Sequence, residues 1–125
     1  MLNDPLANVL SKVLNAEKIG QKEVMIKPFS KLIKDVLKVL NEEGYVGTFE
    51  EKDNSLTLNL LGNINKSNVI KPRYAVKVEN YEKYEKRYLP AKEFGVLILT
   101  TPKGVITHRK AKELKTGGKL LAYCY

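Results

Sequence analysis

The side chains best suited to chemistry lie between Thr100 and Gly104, where two threonines, Pro102, a lysine and a glycine follow the apolar run at residues 96–99. Hydroxyls and backbone N–H groups at a strand end donate hydrogen bonds to phosphate oxygens and ribose 2′-hydroxyls, and a glycine allows a nucleic-acid backbone to approach closely. The same residues also fit an ordinary β-turn followed by a helix that Thr107 caps. Both interpretations, an RNA contact and a simple turn, are open at this point.

Three further segments have residue types that suit a nucleic acid. The segment 117–119 (Gly-Gly-Lys) offers a second place for close backbone approach. The segments 71–74 (Lys-Pro-Arg-Tyr) and 86–88 (Lys-Arg-Tyr) alternate cations with aromatic rings, a pattern that favours phosphate pairing together with stacking on a base or ribose. A tyrosine beside a lysine is also a common result of amphipathic packing, and the pattern favours RNA because it recurs within one part of the chain.

Catalysis, metal binding and cofactor binding have little support in the sequence. His108 is the only histidine, and its basic neighbours disfavour its charged form, so we expect a structural or phosphate-facing role. Cys124 lies in an alternating strand and is expected to be a small buried hydrophobe. One histidine and one cysteine do not make a zinc site, and no glycine-rich nucleotide-binding loop is present. The sequence therefore predicts no enzyme activity, no metal and no cofactor.

The distribution of charge predicts a polyanionic partner. The chain has 22 Lys and Arg against 14 Asp and Glu, a net charge of +8, with 43% hydrophobic and 29% charged residues. Residues 1–62 have a balance of −1 and residues 63–125 a balance of +9. Such a one-sided excess is typical of binding to nucleic acid or to an anionic membrane surface, although solubilising lysines give the same count. No signal peptide or membrane-spanning run is visible, and the single cysteine fits a cytoplasmic protein.

The first half of the chain predicts the order α-β-α-β-β. Asp4 suits an N-cap and Pro5 the first helical position, and the apolar stripe that follows ends at Gly20. A short strand at 23–27 precedes a helix capped by Ser30, with a buried face of Leu32, Ile33, Val36, Leu37 and Leu40, and Gly44 ends this helix. Strands at 45–51 and 55–61 then form a hairpin.

The second half predicts a mainly antiparallel sheet with short helices. We expect one extended segment at 70–78, an exposed helix at 81–88 and a buried strand at 94–101. A helix at 108–114 and a last strand at 119–125 follow. Glu79, Glu82 and Glu85 are interpreted as a solvated, salt-bridged helix face. The polar stretch 62–67 divides the chain, so the fold class is α+β with an N-terminal α-β-α-β-β subdomain at 1–66 and a C-terminal β-rich subdomain at 67–125.

Four segments together resemble a known family. They are 4–8 (Asp-Pro-Leu-Ala-Asn), 27–32 (Lys-Pro-Phe-Ser-Lys-Leu), 99–104 (Leu-Thr-Thr-Pro-Lys-Gly) and 117–119 (Gly-Gly-Lys). In this order they look like the universal small-subunit ribosomal protein number eight, and the resemblance runs from Asp4 to Tyr125. The segments 87–95 and 116–119 look like the archaeal and eukaryotic branch of that family.

The resemblance implies a non-enzymatic protein of two subdomains that binds the central domain of small-subunit ribosomal RNA and organises it during assembly. It carries RNA contacts over to Thr100 and Thr101, which stand at the first two hydroxyl positions of the bacterial Ser-Thr-Ser-x-Gly loop, and to Gly104. Pro102 replaces the third hydroxyl. Lys119 stands where the bacterial branch has Glu, which exchanges a carboxylate contact for a phosphate contact. Neighbouring small-subunit proteins are the other expected partners, and no membrane or small-molecule substrate is expected.

Residues and resemblance together give a predicted RNA-binding set. It comprises Lys31, Lys71, Arg73, Arg87, Tyr88, Thr100, Thr101, Lys103, Gly104, Gly117, Gly118 and Lys119, with Lys110 as a further phosphate contact. A sequence-tolerant DNA-binding module and an RNA-processing enzyme are the two alternatives. Indifference to the 2′-hydroxyl distinguishes the first, and turnover that depends on His108 distinguishes the second.

Overall fold

In a computed structural model, residues 5–27, 30–53, 55–71, 73–91 and 94–125 are described. The chain divides into two compact units, Met1–Lys66 and Ser67–Tyr125. The first unit contains α1 (Pro5–Lys18), β1 (Glu23–Ile26), α2 (Lys31–Glu42), β2 (Val46–Lys52) and β3 (Ser55–Leu60). The second contains β4 (Ser67–Val69), β5 (Ala75–Val76), a 3₁₀ turn (Val78–Asn80), α3 (Tyr81–Tyr88), β6 (Val96–Thr101), β7 (Gly104–Thr107), α4 (His108–Glu113) and β8 (Gly118–Cys124). The predicted α+β class is confirmed.

The first unit is a three-stranded antiparallel sheet in the order β1-β3-β2 with two helices. Every second residue of β1 and β3 is buried, which is the pattern of a sheet with one face on a core. Both helices contribute buried apolar stripes at the expected spacing. The main buried residues are Leu6, Val9, Leu10, Val13, Val24, Ile26, Ile33, Val36, Leu37, Val39, Leu40, Leu56 and Leu58.

The ends of these helices follow their local sequence. The Ser30 hydroxyl accepts a hydrogen bond from the Ile33 N–H at 3.3 Å, as an N-cap does. Gly20 and Gly44 adopt φ values of 77° and 82°, the left-handed conformation that ends a helix. The predicted cap Asp4 lies outside the described residues. Leu32 is only half-buried, so that part of the predicted core face of α2 is wrong.

The second unit is an antiparallel sheet in the order β4-β8-β6-β7, and β5 pairs with β8 beyond β4. Its core cluster contains Ile70, Val76, Tyr81, Leu89, Leu97, Leu99, Ala111 and Leu120, with several tyrosines packed against it. Strands β6 and β8 are the central pair, and their register shifts between Ile98 and Leu99. This pair therefore positions the residues at the ends of the neighbouring strands and in the β6–β7 turn.

The single extended segment predicted for residues 70–78 is wrong. β4 already ends at Val69, only β5 (Ala75–Val76) lies within the predicted segment, and Val78 begins the 3₁₀ turn. Val69 pairs with Ala122 and Ala75 pairs with Lys119, so residues 70–74 stand opposite only residues 120 and 121. Five residues do not fit opposite two in a regular ladder, so the pairing with β8 is interrupted between β4 and β5.

Strand β7 is absent from the sequence prediction, which led from the turn directly into a helix. Its four residues do not alternate between buried and exposed, so it lacks the period of a half-buried strand, and it pairs with β6 from Thr101↔Gly104 to Ile98↔Thr107. Thr107 ends the strand and also caps α4, since its hydroxyl accepts from the Lys110 N–H at 3.2 Å. The predicted Thr107 cap is confirmed, and the strand before it is the correction.

Among the described helices, none combines the length and the apolar character that crossing a bilayer requires.

Candidate nucleic-acid interface

Sheet register places Thr100 directly beside Lys119. Thr100 on β6 pairs with Lys119 on β8 and with Val105 on β7, and Lys119 also pairs with Ala75 on β5. Directly paired residues of an antiparallel sheet project from the same face, with Cβ atoms about 4.5–5.5 Å apart. Lys119 is exposed and Thr100 is half-buried. Two predicted site residues that are 19 positions apart in the sequence thus present a hydroxyl and an ammonium group side by side.

The β6–β7 hairpin carries the other predicted loop residues. The Thr101 hydroxyl donates to the Gly104 carbonyl at 2.9 Å and accepts from the Lys103 N–H at 3.1 Å. Gly104 has a φ of 116°, which favours glycine, and the space where a Cβ would stand is open. Pro102 and Lys103 are exposed at the tip. The turn interpretation of this segment is therefore correct in geometry, and the Thr101 hydroxyl is engaged in shaping the turn that presents Lys103.

The packing of the protein itself explains why residues 117 and 118 are glycines. A Cβ on Gly117 would lie 2.4 Å from the Val76 carbonyl oxygen, and one on Gly118 would lie 2.4 Å from the Thr100 carbonyl oxygen. Real Cβ atoms do not approach so closely, so these glycines allow the strands to meet. The predicted approach of an RNA backbone at this pair stays a prediction, and packing alone accounts for the residue type.

Arg87 contacts two tyrosine rings. Its guanidinium carbon is 5.3 Å from the ring centre of Tyr74 and 5.4 Å from that of Tyr88, both within cation–π range. Tyr88 also stacks on Tyr123, with ring centres 5.5 Å apart. Burial raises the pKa of Tyr88 above its ordinary value, with Arg87 acting in the opposite direction, so the phenol stays neutral. The ring of Tyr88 therefore already has two partners, and a role for it in stacking on a base stays a prediction.

Arg87 and its tyrosines lie on the core side of the sheet, beside β8. The Tyr74 carbonyl accepts a hydrogen bond from the Leu120 N–H at 2.9 Å, so the residue that contacts Arg87 adjoins β8 next to Lys119. Tyr74 and Tyr88 pack against the cluster that contains Leu99 and Leu120. Since successive residues of a strand project to opposite faces, the side chains of Thr100 and Lys119 project from the other face of the sheet.

The remaining predicted cations are exposed and more scattered. Lys71 and Arg73 belong to the loop between β4 and β5, and Lys110 lies on α4. Lys31 is the first residue of α2 and is exposed in the first unit.

A buried polar cluster links α3 and α4, and sequence analysis missed it. His108 and Glu85 expose only 2% and 6% of their surfaces. The His108 Nδ1 accepts from the Leu97 N–H at 3.0 Å, and its Nε2 lies 3.3 Å from the Glu85 Oε1, which the Lys112 ammonium also contacts. The interpretation of Glu85 as a solvated residue and of His108 as phosphate-facing is wrong, and the structural role of His108 is confirmed.

The His108 ring is held neutral. Burial lowers its pKa to about 4, because the charged form is poorly solvated, and Glu85 only partly opposes this. Two spacings signalled the cluster: Glu85 follows the buried Tyr81 by four residues, and Lys112 follows His108 by four, so each pair shares a helix face. The Tyr81 hydroxyl completes the same inner face of α3 by donating to the Thr116 carbonyl at 2.7 Å.

The other two chemical expectations concern Cys124 and metals. Cys124 is buried at 1% exposure, as predicted. Within the part of the chain that the structure describes, no three His, Cys, Asp or Glu side chains are grouped so that they would hold a metal ion.

The fold and the site together are those of an α+β protein with two units. Its basic second unit presents hydroxyls, ammonium groups and a guanidinium in contact with tyrosine rings. Residues 4–125 match the sequence family described as ribosomal protein S8. The small ribosomal subunit protein uS8 of Methanococcoides burtonii is 53% identical over 129 residues, which cover 100% of this chain and 99% of the relative. The chain belongs to the ribosomal protein S8 family and is a structural protein of the small ribosomal subunit, not an enzyme. The family resemblance inferred from the sequence is confirmed, and this relative comes from an archaeon.

Proposed function

We propose that this chain binds the central domain of small-subunit ribosomal RNA through its second unit and organises that domain during assembly of the subunit. The observation that carries the proposal is the pairing of Thr100 with Lys119 beside the hairpin that presents Lys103. A hydroxyl donor beside a cation suits a ribose or base edge next to its phosphate. The excess of nine positive charges in residues 63–125 supplies the attraction for the polyanion.

The cations and the hydroxyl-bearing residues have different roles in RNA binding. Lys71, Arg73, Lys103, Lys110 and Lys119 neutralise phosphates, which sets affinity and carries no sequence information. These cations are all exposed.

Thr100 and the open side of Gly104 meet the irregular part of the RNA and set which RNA is bound. Thr101 contributes through the shape of the turn, since its hydroxyl already has two partners within the hairpin.

The first unit has a supporting role in this proposal. Residues 1–62 carry a charge balance of −1, so they add little to the attraction for RNA. Lys31 is exposed at the start of α2 and makes a secondary contact with the RNA backbone. The rest of this unit's surface is available to neighbouring small-subunit proteins, and the protein acts in the cytoplasm as part of the ribosome.

Footprinting on fragments of small-subunit RNA tests the proposal. We expect protection of an irregular stem in the central domain and of no other domain. If about six phosphates are neutralised, the logarithm of the affinity falls with the logarithm of salt concentration with a slope of about −4 to −5. Protection spread evenly over all domains, or an affinity that does not change with salt, contradicts the proposal.

Two variants in the same experiment separate recognition from attraction. Thr100→Val removes the hydroxyl and keeps the shape, so it lowers the preference for the cognate stem over random duplex. Lys103→Ala weakens binding to both. Equal losses in both variants contradict this division, and unchanged binding to a 2′-deoxy ligand favours the DNA-binding alternative instead.

A further inference from the structure

We propose that Tyr74 and Tyr88 hold Arg87 as a rigid planar fork, which donates two parallel hydrogen bonds to an RNA group with two adjacent acceptor atoms. The proposal rests on the proposed function, since the ligand is RNA. It goes further because it assigns Arg87 a geometric requirement beyond its charge, and because it makes the two tyrosines positioning residues. A phosphate with two free oxygens and the O6/N7 edge of a guanine both have the required chemistry.

The guanidinium contacts two aromatic rings. Its carbon stands over both rings at 5.3 and 5.4 Å, while Arg87 itself is exposed. The tyrosines are themselves supported, because Tyr74 contacts Tyr84 with ring centres 5.6 Å apart and Tyr88 stacks on Tyr123. All four rings pack against the core of the second unit. The arginine therefore rests on a supported surface.

The neighbouring cations on α3 lack this arrangement. The side chain of Lys86 is 78% exposed, and its ammonium lies 3.6 Å from the Glu82 carboxylate one turn earlier. Lys83 contacts a single ring, that of Tyr84, at 5.6 Å. Within the described part of the chain, Arg87 forms no ion pair with a carboxylate. Its charge is thus available to an outside anion.

A planar fork differs from a point charge in what it recognises. Guanidinium presents its N–H groups in fixed directions that match two adjacent acceptors, whereas the lysine ammonium is a compact charge on a flexible stem. Contact with two rings restricts the rotation of the long arginine side chain before it binds, which lowers the entropy cost of the complex. A ligand with two adjacent acceptors therefore gains more from this site than from an exposed lysine.

Arg87→Lys is the decisive variant, because it keeps the charge and removes the fork. On the protected RNA fragment we expect about a tenfold loss of affinity with an unchanged salt slope. Lys86→Ala is the matched control on the same helix, with an expected loss of no more than about twofold. If Arg87→Lys binds within about twofold of the natural protein, charge alone explains the residue and the proposal is overturned.

The positioning role of the tyrosines has its own readout. Tyr74→Leu removes the ring and is expected to reproduce most of the loss seen with Arg87→Lys, whereas Tyr74→Phe keeps the ring and binds as the natural protein does. Combined with Arg87→Lys, Tyr74→Leu adds little further loss, since the fork that it positions is already gone. Additive losses overturn the positioning role. Thermal unfolding followed by circular dichroism identifies any variant whose fold has changed, and Tyr88→Leu provides the same comparison from the other ring.

Modified RNA distinguishes the two possible acceptors and separates this inference from the proposed function. If the ligand is a phosphate, a methylphosphonate at one position lowers affinity for the natural protein by a larger factor than for Arg87→Lys, which keeps the charge contact and lacks the fork. If it is a guanine, 7-deazaguanine at one position does so. Sensitivity to neither modification overturns the fork. Failure of the natural protein to protect the central domain overturns the proposed function as well, whereas normal protection with an unaffected Arg87→Lys overturns only this inference.

Discussion

The two units of this chain differ in where glycine allows close packing and in how they bury polar groups. In the first unit, Gly20, Gly44 and Gly62 have positive φ values, and no atom lies near the position of their missing Cβ. In the second, Gly117 and Gly118 stand where a Cβ would collide with a carbonyl oxygen of another strand. Glycine turns the chain in both units, since Gly104 also has a positive φ and open space, but contacts as close as 2.4 Å occur only at Gly117 and Gly118 among the glycines described.

The buried polar residues show the same contrast. Ser67, Glu85, Thr107 and His108 are the buried polar residues among those described, and all belong to the second unit. The first unit has an apolar core beneath a nearly neutral surface, whereas the second holds ionisable groups inside and an excess of cations outside. The unit that we expect to bind RNA is therefore also the one whose stability depends most on tight backbone packing and on pH.

The largest expected effect comes from adding a methyl group at Gly118. An ideal Cβ at position 118 lies only 2.4 Å from the Thr100 carbonyl oxygen, so Gly118→Ala forces β6 and β8 apart. We expect a loss of about 3 kcal/mol or more in the free energy of unfolding. Urea denaturation followed by tyrosine fluorescence measures it in the second unit, since six of the seven tyrosines lie there and tryptophan is absent.

Gly44→Ala is the matched control in the first unit. Its Cβ meets nothing within 4 Å, and the cost is the strain of alanine at a φ of 82°, about 1 kcal/mol. Equal losses at the two positions would break the contrast between the two uses of glycine.

The buried cluster predicts a smaller, pH-dependent loss. The folded-state pKa of His108 is about 4, below the ordinary value of 6.5, so the unfolded chain binds a proton more readily at pH values between the two. Stability is therefore complete above about pH 6.5 and falls as the pH drops towards 4, by about 2 kcal/mol between pH 7 and pH 5. Urea denaturation at a series of pH values measures the slope.

His108→Asn isolates this contribution. The asparagine oxygen is able to accept the hydrogen bond from the Leu97 N–H that Nδ1 accepts now, and it does not titrate. We expect the variant to lose most of the slope between pH 7 and pH 5. The groups facing His108 are Glu85, Lys112 and Arg109, and a variant that keeps the full slope would show that the histidine is not its source.

Much of the first unit could be predicted from the sequence because its signals are local. Ser30 and Gly44 mark the two ends of α2, and the 3.6-residue spacing of its apolar residues marks its buried face. The alternation in β1 and β3 identifies the side that faces the helices. Each of these signals acts within a few residues, where short-range geometry decides the structure.

The second unit was predicted less well because its decisive contacts are distant in the sequence. The strand expected at 70–78 is reduced to β5, and the strand before it ends at Val69, because both positions are set by pairing with β8, about fifty residues later. The burial of Glu85 depends on His108 and Lys112, which the sequence separates by more than twenty positions. A carboxylate on a lysine-rich helix ordinarily faces water, and only the tertiary partner reverses that preference.

The candidate site shows the same limit. Residue types at Thr100, Lys103 and Lys119 indicated a phosphate and ribose contact, and register was needed to show that Thr100 and Lys119 are neighbours. The sequence showed only that cations stand next to tyrosines. It did not predict the contact of Arg87 with Tyr74, because the two residues are distant in the sequence and the fold brings them together. Thr101 was assigned to RNA on its type, and its hydroxyl is engaged in the turn.

The smallest expected effect compares the hairpins of the two units, each of which uses a hydroxyl. Thr101 makes two hydrogen bonds in the β6–β7 turn, whereas the Ser55 hydroxyl donates one, to the Lys52 carbonyl at 2.9 Å, in the β2–β3 hairpin. Thr101→Val is expected to cost about 1 kcal/mol of unfolding free energy and Ser55→Ala about 0.5 kcal/mol, because each exposed bond contributes little. Urea denaturation measures both, with Thr100→Val expected to stay within about 0.5 kcal/mol of the natural protein. If Thr101→Val costs no more than Thr100→Val, its hydroxyl does not hold the turn, and a direct contact between Thr101 and RNA becomes the better explanation of that residue.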